Sequence, residues 1–237
     1  MRVLPVILIV LLAQSPEEKL EAALKKFGDR NYKVLQNGKE SGTMILKTRV
    51  EKEGEARVAV MEDRIEIKAG DADMHMAFTE RASLKGLRLI SAKRTGKVPG
   101  ADIDWWASVA DGKASLRVED RKQTIDAPDG TIGELAIMRL ISAAEQKVGS
   151  TFKADVLVMA SENLDKGHEF RCVAKETLEI GGAKREAYKW EETWEGKITR
   201  NGMTATSKTA NTYWASPDGY PLRSIIGPGM EVVIDAK

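Results

Sequence analysis

Thr43-Met44-Ile45-Leu46-Lys47-Thr48-Arg49-Val50-Glu51, then Lys52-Glu53-Gly54-Glu55, then Ala56-Arg57-Val58-Ala59-Val60-Met61 is the passage that decides the fold. Met44, Leu46, Thr48 and Val50 recur two apart, and after a polar glycine-bearing link Val58 and Val60 take up the same beat. A period of two places successive side chains on opposite faces of a strand, and a short polar link joins antiparallel neighbours. The same pattern predicts strands at Arg64–Lys68, Asp73–Phe78, Leu87–Lys93, Trp105–Ala110, Lys113–Glu119 and Gln123–Ala127. It resumes at Phe152–Met159, Phe170–Ile180, Lys184–Glu195, Met203–Trp214, Leu222–Ile226 and Glu231–Ile234. Asp111-Gly112 and Gly181-Gly182 mark tight hairpins between pairs of these.

Two segments break the alternation. Leu20, Ala23, Leu24 and Phe27 repeat at helical spacing behind Ser15, Pro16 and Glu18, a cap, a first-turn proline and a capping-box partner, with Gly28 to stop the chain. A helix is expected over 16–27. A second is expected over 131–145, where Ile132, Leu135, Ala136, Ile137, Met138, Leu140 and Ile141 surround most of the cylinder and require burial. Ahead of both lies Met1-Arg2 and an apolar run from Val3 to Ala13, too short to span a bilayer and followed by small residues. It reads as a signal peptide of residues 1–13, cleaved near 13–15, with export to the periplasm or cell exterior and no membrane span in the mature chain. Residues 14–237 form one domain, since no linker or low-complexity segment divides them. The fold class is mainly β: a strongly curved antiparallel sheet, a half-barrel, wrapping one or two helices.

Composition narrows the function classes. The 237 residues carry 37 basic and 36 acidic side chains, and loss of a leader holding Arg2 makes the two counts equal. Such a balance argues against a protein built to bind phosphate backbones, so no nucleic-acid partner is expected. The single cysteine, Cys172, cannot form an internal bridge and lies in an alternating run as a buried thiol. His75 and His168 stand in no metal-ligand or nucleophile spacing, so neither a metal nor a cofactor is expected and no catalytic residue is assigned.

Three passages carry a resemblance: Tyr32-Lys33-Val34 followed by Asn37-Gly38-Lys39-Glu40-Ser41-Gly42-Thr43; the lone mid-chain helix opening near Asp129-Gly130; and Tyr213-Trp214-Ala215-Ser216-Pro217-Asp218-Gly219-Tyr220-Pro221-Leu222-Arg223. In this order they resemble an exported bacterial half-barrel family of unknown function (DUF3108-like), itself distantly similar to periplasmic lipoprotein-carrier folds. The resemblance implies a sheet wrapped around one or more helices over nearly all of the mature chain. It implies no catalytic residues.

A sheet curved around a helix leaves an apolar groove wherever its filling is incomplete, and methionine adapts such a groove to irregular chains. The candidate ligand-binding residues are therefore Met44, Met74, Met76, Phe78, Trp105, Met138, Trp190, Trp194 and Trp214. The leading expectation is a non-enzymatic protein holding a lipid-like, amphipathic ligand or an envelope component in the concave face. The alternative is a structural or protein-interaction module of the envelope. The third is a carbohydrate-binding or carbohydrate-active protein using strands that bear Trp and Glu, such as Trp190, Glu192 and Trp194 on one face. Adjacent Glu191 and Glu192 face opposite sides and so do not form a glycosidase pair. Trp105 and Trp106 are likewise neighbours, which turns one indole outward. Oligomeric state has no signature in the sequence.

Overall fold

A computed structural model of the chain describes residues 15–69, 72–200, 203–226 and 229–235. The expected signal peptide, 1–13, lies outside them. The first element is helix α1, Pro16–Phe27, set as its sequence requires. Ser15 Oγ accepts from the Glu18 amide at 3.2 Å, the Glu18 carboxylate accepts from the Ser15 amide at 2.8 Å, and Leu20, Leu24 and Phe27 are buried. The chain leaves the helix through Gly28, whose φ of 54° favours glycine.

Eight strands follow as a meander: β1 (Arg30–Gln36), β2 (Lys39–Glu53), β3 (Ala56–Ala69), β4 (Ala72–Ser83), β5 (Leu89–Val98), β6 (Ala101–Ala110), β7 (Lys113–Val118) and β8 (Arg121–Asp126). Then come β9 (Ile132–Gly133), helix α2 (Ala136–Ala143), β10 (Thr151–Val158), β11 (Asn163–Ile180), β12 (Ala183–Arg200), β13 (Met203–Ala215), β14 (Pro221–Ile225) and β15 (Met230–Ile234). The described strands make one sheet in the order β8-β7-β6-β5-β4-β3-β2-β1-β15-β14-β13-β12-β11-β10-β9, with two short helices. Each half of the chain is its own meander, and antiparallel pairing of β1 with β15, Val34 opposite Val232, joins them. All neighbouring strands are antiparallel except β9 and β10, which run parallel.

The expected 131–145 helix is confined to Ala136–Ala143, and long-range partners explain why. The Thr131 amide and hydroxyl both donate to Pro128 O, closing a turn, and Ile132-Gly133 then pairs with Val156-Leu157 of β10. At the far end Gln146 Nε2 donates to Ile141 O and Ala144 O at 2.7 and 3.0 Å, capping the carbonyls that would otherwise continue the helix. The strands expected at Ala56–Met61 and Arg64–Lys68 are one continuous strand, β3.

Curvature brings the two ends of the sheet together. Ala92 (β5), Ala107 (β6), Ala114 and Leu116 (β7) pack with Leu157 (β10) and Met159 from the far end of the sheet. Leu89 N donates to Thr131 O at 2.8 Å and Gln123 Nε2 to Glu162 O at 2.9 Å across the same seam. Alanines on the inner side let the walls approach closely. The main core lies within the curl, where Leu24, Met61, Phe170, Cys172, Trp190 and Tyr213 meet α2.

At the centre of that core α2 presents an arginine. Arg139 is 1% exposed and uses all five N–H donors: Nε to Thr48 Oγ1, one terminal nitrogen to Asp63 and Leu135 O, the other to Asp63 and Lys47 O. The Phe27 ring of α1 lies 4.8 Å from the guanidinium. Burial pushes the Asp63 carboxyl up while the guanidinium pulls it back down. Removing one member of such a pair strands the other charge in the interior, whereas replacing both can be close to neutral. Arg139→Met is expected to cost about 3–5 kcal/mol in urea unfolding, and Arg139→Met with Asp63→Leu to recover most of that loss.

Candidate functional site

The core fills most of the curl but not its mouth. Between α1, α2, the turn after β4 and the start of β10 lies an open groove of about 870 Å3. Leu20, Leu84 and Ile132 form its buried floor, Leu140, Phe152 and Ala154 its half-buried walls, and Ser15, Glu17, Lys85 and Lys153 its exposed rim. Its origin is local. α2 stops at Ala143, and Ala143 and Ala144 are too small to cover Phe152, so the space beyond the last turn stays open. A volume of this size is in the range that takes a small organic ligand. Lys153 lies 3.4 Å from Glu169, while Lys85 has no carboxylate at ion-pair distance among the described residues.

Two polar clusters sit behind the groove. In the first, Glu80 of β4 is buried and accepts from the Leu135 amide at 3.1 Å, holding the start of α2. Its second oxygen has no partner, and Gly133 lies against the carboxyl so closely that an added Cβ would stand 2.3 Å from it. Burial therefore pushes the Glu80 pKa from 4.5 to about 8, the Leu135 amide opposing. Beside it Glu134 takes hydrogen bonds from Arg94 at 3.0 Å and the Met159 amide at 3.3 Å. The Arg94 guanidinium lies over the rings of Phe78 and Trp105.

The second cluster joins β11, β12 and β13. His168 Nδ1 lies 2.7 Å from Glu192, whose other oxygen accepts from Tyr213 Oη at 2.6 Å and Asn211 Nδ2 at 2.8 Å. Trp194 stacks on the imidazole at 4.6 Å. Burial, then the Glu192 charge, hold the Tyr213 phenol well above its ordinary range. His168 Nε2 has no partner, yet His168 and Glu192 are both buried, 2% and 1% exposed, and neither lines the 870 Å3 groove. This His–carboxylate pair has the distances of an acid–base dyad without the access one needs. Histidine at 168 and glutamate at 192 were both visible in the sequence, but only the pairing of β11 with β12 brings them together.

The nine sequence-chosen residues are dispersed. Met44 is buried with Phe27, Tyr32 and Leu46, and Met74 packs at the edge of that group. Met76 is half-buried on β4. Phe78 and Met138 flank the main core, and Met138 also reaches the Met44 group. Trp105 backs the seam. Trp190 is wholly buried, its indole N–H donating to Gln146 Oε1 at 3.0 Å. Trp194 covers His168, and Trp214 packs with Leu178, Ile180 and Leu222 while its indole donates to Glu176. None of the nine lines the 870 Å3 groove. Its lining residues have no compositional mark, only their position at helix ends, in the turn after β4 and at the start of β10. Cys172 is buried, and burial pushes its thiol up. No group of three or more metal-ligating side chains occurs among the described residues.

No family model and no curated protein matches the sequence. Among solved structures, a β-barrel-like protein of the domain of unknown function DUF1849 from Brucella abortus is similar at a TM-score of 0.53 and 11% identity, over 87% of this chain and 94% of that one. The hypothetical lipoprotein YmcC from Escherichia coli K12 aligns at a TM-score of 0.36 and 16% identity, over 94% and 97%. The relation to the first is one of fold, not of sequence family.

The Glu80 carboxyl gives the cluster a pH signature. Its folded pKa lies above its unfolded one, so between about 4.5 and about 8 the unfolded state has released a proton that the folded state retains, and stability falls as pH rises. Glu80→Gln imitates the protonated form. Its melting temperature is expected to decline less than that of the wild type between pH 5 and 8, and to exceed it at pH 8; parallel curves would remove Glu80 from the account.

Proposed function

We propose that the chain is an exported, non-enzymatic carrier or sensor that holds a single-chain amphipathic ligand of the fatty-acid or lysolipid kind. The observation that carries this reading is the groove at the barrel mouth, with an apolar floor of Leu20, Leu84 and Ile132, an apolar wall of Leu140 and Phe152, and Lys85 unpaired on its rim. An acyl chain against the floor would release water from apolar surface at about 25 cal/mol per Å2, and an anionic head would meet the Lys85 ammonium at the exposed edge. Non-covalent binding is favoured over catalysis because the groove lining, among the described residues, has no histidine, no cysteine and no pair of carboxylates. The leader-like run Val3 to Ala13 supports export. Among the described residues no helix is long and apolar enough to cross a membrane.

A fluorescent sixteen-carbon fatty acid titrated into the full mature chain tests the proposal. Saturable binding is expected, weakened at least tenfold by Leu140→Asp or Phe152→Asp, two half-buried wall positions whose variants can be checked for fold by circular dichroism. Lys85→Glu is expected to weaken the acid more than the corresponding alcohol. Absence of binding in the wild type, or binding indifferent to both wall variants, would overturn it.

A further inference from the structure

The outward face of β5–β8 carries a feature that neither the core nor the groove explains. Trp106 is 38% exposed, although its neighbour Ala107 and the facing Leu116 are buried on the inner side. The core-facing work of this part of the sheet is therefore done without the indole. The register sets Lys93, Trp106, Arg117 and Lys122 side by side across four adjacent strands. Two residues along, Ser91, Ser108, Ser115 and Thr124 form a parallel row of hydroxyls. Over the β6–β8 part of these rows lies an open groove of about 730 Å3 lined by Trp106, Ser115, Leu116, Arg117, Lys122, Gln123 and Thr124.

Its unpaired charge is positive. Arg117 is bonded to Asp104 at 2.9 Å in an exposed pair, but neither Lys93 nor Lys122 has a carboxylate at ion-pair distance among the described residues. Strand spacing of about 4.8 Å makes the row a ruler, with a cation, an indole, a cation and a cation at successive steps. A ligand lying across the strands would thus meet a flat apolar face flanked by positive charge, with hydroxyls along one side.

We propose that this face binds an acidic polysaccharide, a uronate-bearing glycan. A pyranose ring offers C–H groups to stack on the Trp106 indole, its carboxylates pair with Lys93, Lys122 and the free edge of Arg117, and its hydroxyls match Ser115 and Thr124. Charge complementarity selects an anion, and the hydroxyl row selects a sugar over a lipid bilayer, for which an apolar projection rather than a hydroxyl-lined groove is the fitting surface.

The test is calorimetric titration of the mature chain with hexagalacturonate, beside neutral cellohexaose, and flotation with vesicles containing phosphatidylglycerol. Saturable binding of the acidic hexamer is expected, at least tenfold tighter than that of cellohexaose and weakened by added salt. Trp106→Ala, and Lys93→Glu with Lys122→Glu, are each expected to reduce it at least tenfold while leaving the melting temperature in place, since all three side chains are at the outer surface. Leu140→Asp in the other groove is expected to leave it intact, which separates this site from the acyl-chain site. No saturable binding of hexagalacturonate, binding undiminished in Trp106→Ala, or Trp106-dependent vesicle flotation in place of glycan binding would each overturn the proposal.

Discussion

The guanidinium of Arg139 has five N–H donors, and the interior gives every one an acceptor. Those acceptors belong to α2 itself, to β2 through Thr48 and Lys47, and to β3 through Asp63, with Phe27 of α1 against the cation. An ion pair at this depth offsets its own desolvation only when the geometry leaves no lone pair or proton idle. The consequence is positional rather than purely energetic. An eight-residue helix is marginal by itself, and α2 could slide or rotate within an apolar shell of interchangeable methyl groups; a planar fork with fixed partners permits one placement. Glu80 at the start of α2 and Gln146 at its end add two further fixed points.

From that placement the rest of the interior follows. With α2 fixed, its short length leaves Phe152 only half-buried and opens the mouth groove, while α2 also meets Trp190, Tyr213 and Met61 in a packed core. The seam depends on the opposite property of the sequence. Ala92, Ala107 and Ala114 keep the inner surface of β5–β7 shallow, so Leu157 and Met159 can approach from the other end of the sheet. Large side chains at those alanines would hold the walls apart and put the parallel β9–β10 pair out of reach of β5.

How much of this could be read from sequence depends on whether the deciding partner is near or far along the chain. Alternation located nearly every strand because the burial pattern of a strand is written in its own residues, and the turns at Asn37-Gly38, Asp111-Gly112 and Gly181-Gly182 have the positive φ values that hairpins of this kind need. The capping box of α1 is equally local. Ile132 and Gly133 instead fit a helical pattern and become a strand only because Val156 and Leu157 lie alongside. Arg139 has no local signature for the same reason, since a charge in an otherwise apolar helix acquires meaning only from Asp63 and Thr48. Choosing ligand residues by size and softness selected the side chains that a core claims first: Trp190 and Trp214 were spent on packing, whereas an opening is bounded by what happens to surround a helix end. The adjacency of Trp105 and Trp106 was the exception, because alternation alone forces one indole outward.

The near-equality of acidic and basic residues is best understood through where each charge is used. Arg139 is consumed by Asp63, Arg94 by Glu134, and Arg49, Arg57 and Arg81 by carboxylates on the outer surface or on α1. Arginine, with its planar fork, does most of the internal pairing in this molecule, as its geometry favours. Lysines 85, 93 and 122 are left without carboxylate partners among the described residues, each beside an apolar surface that the fold does not cover. A net charge near zero therefore coexists with unpaired lysines at two separate openings, one apolar-floored and one bordered by hydroxyls. Selectivity for an anion at each would arise from this unequal spending of arginine and lysine, which a whole-chain sum conceals.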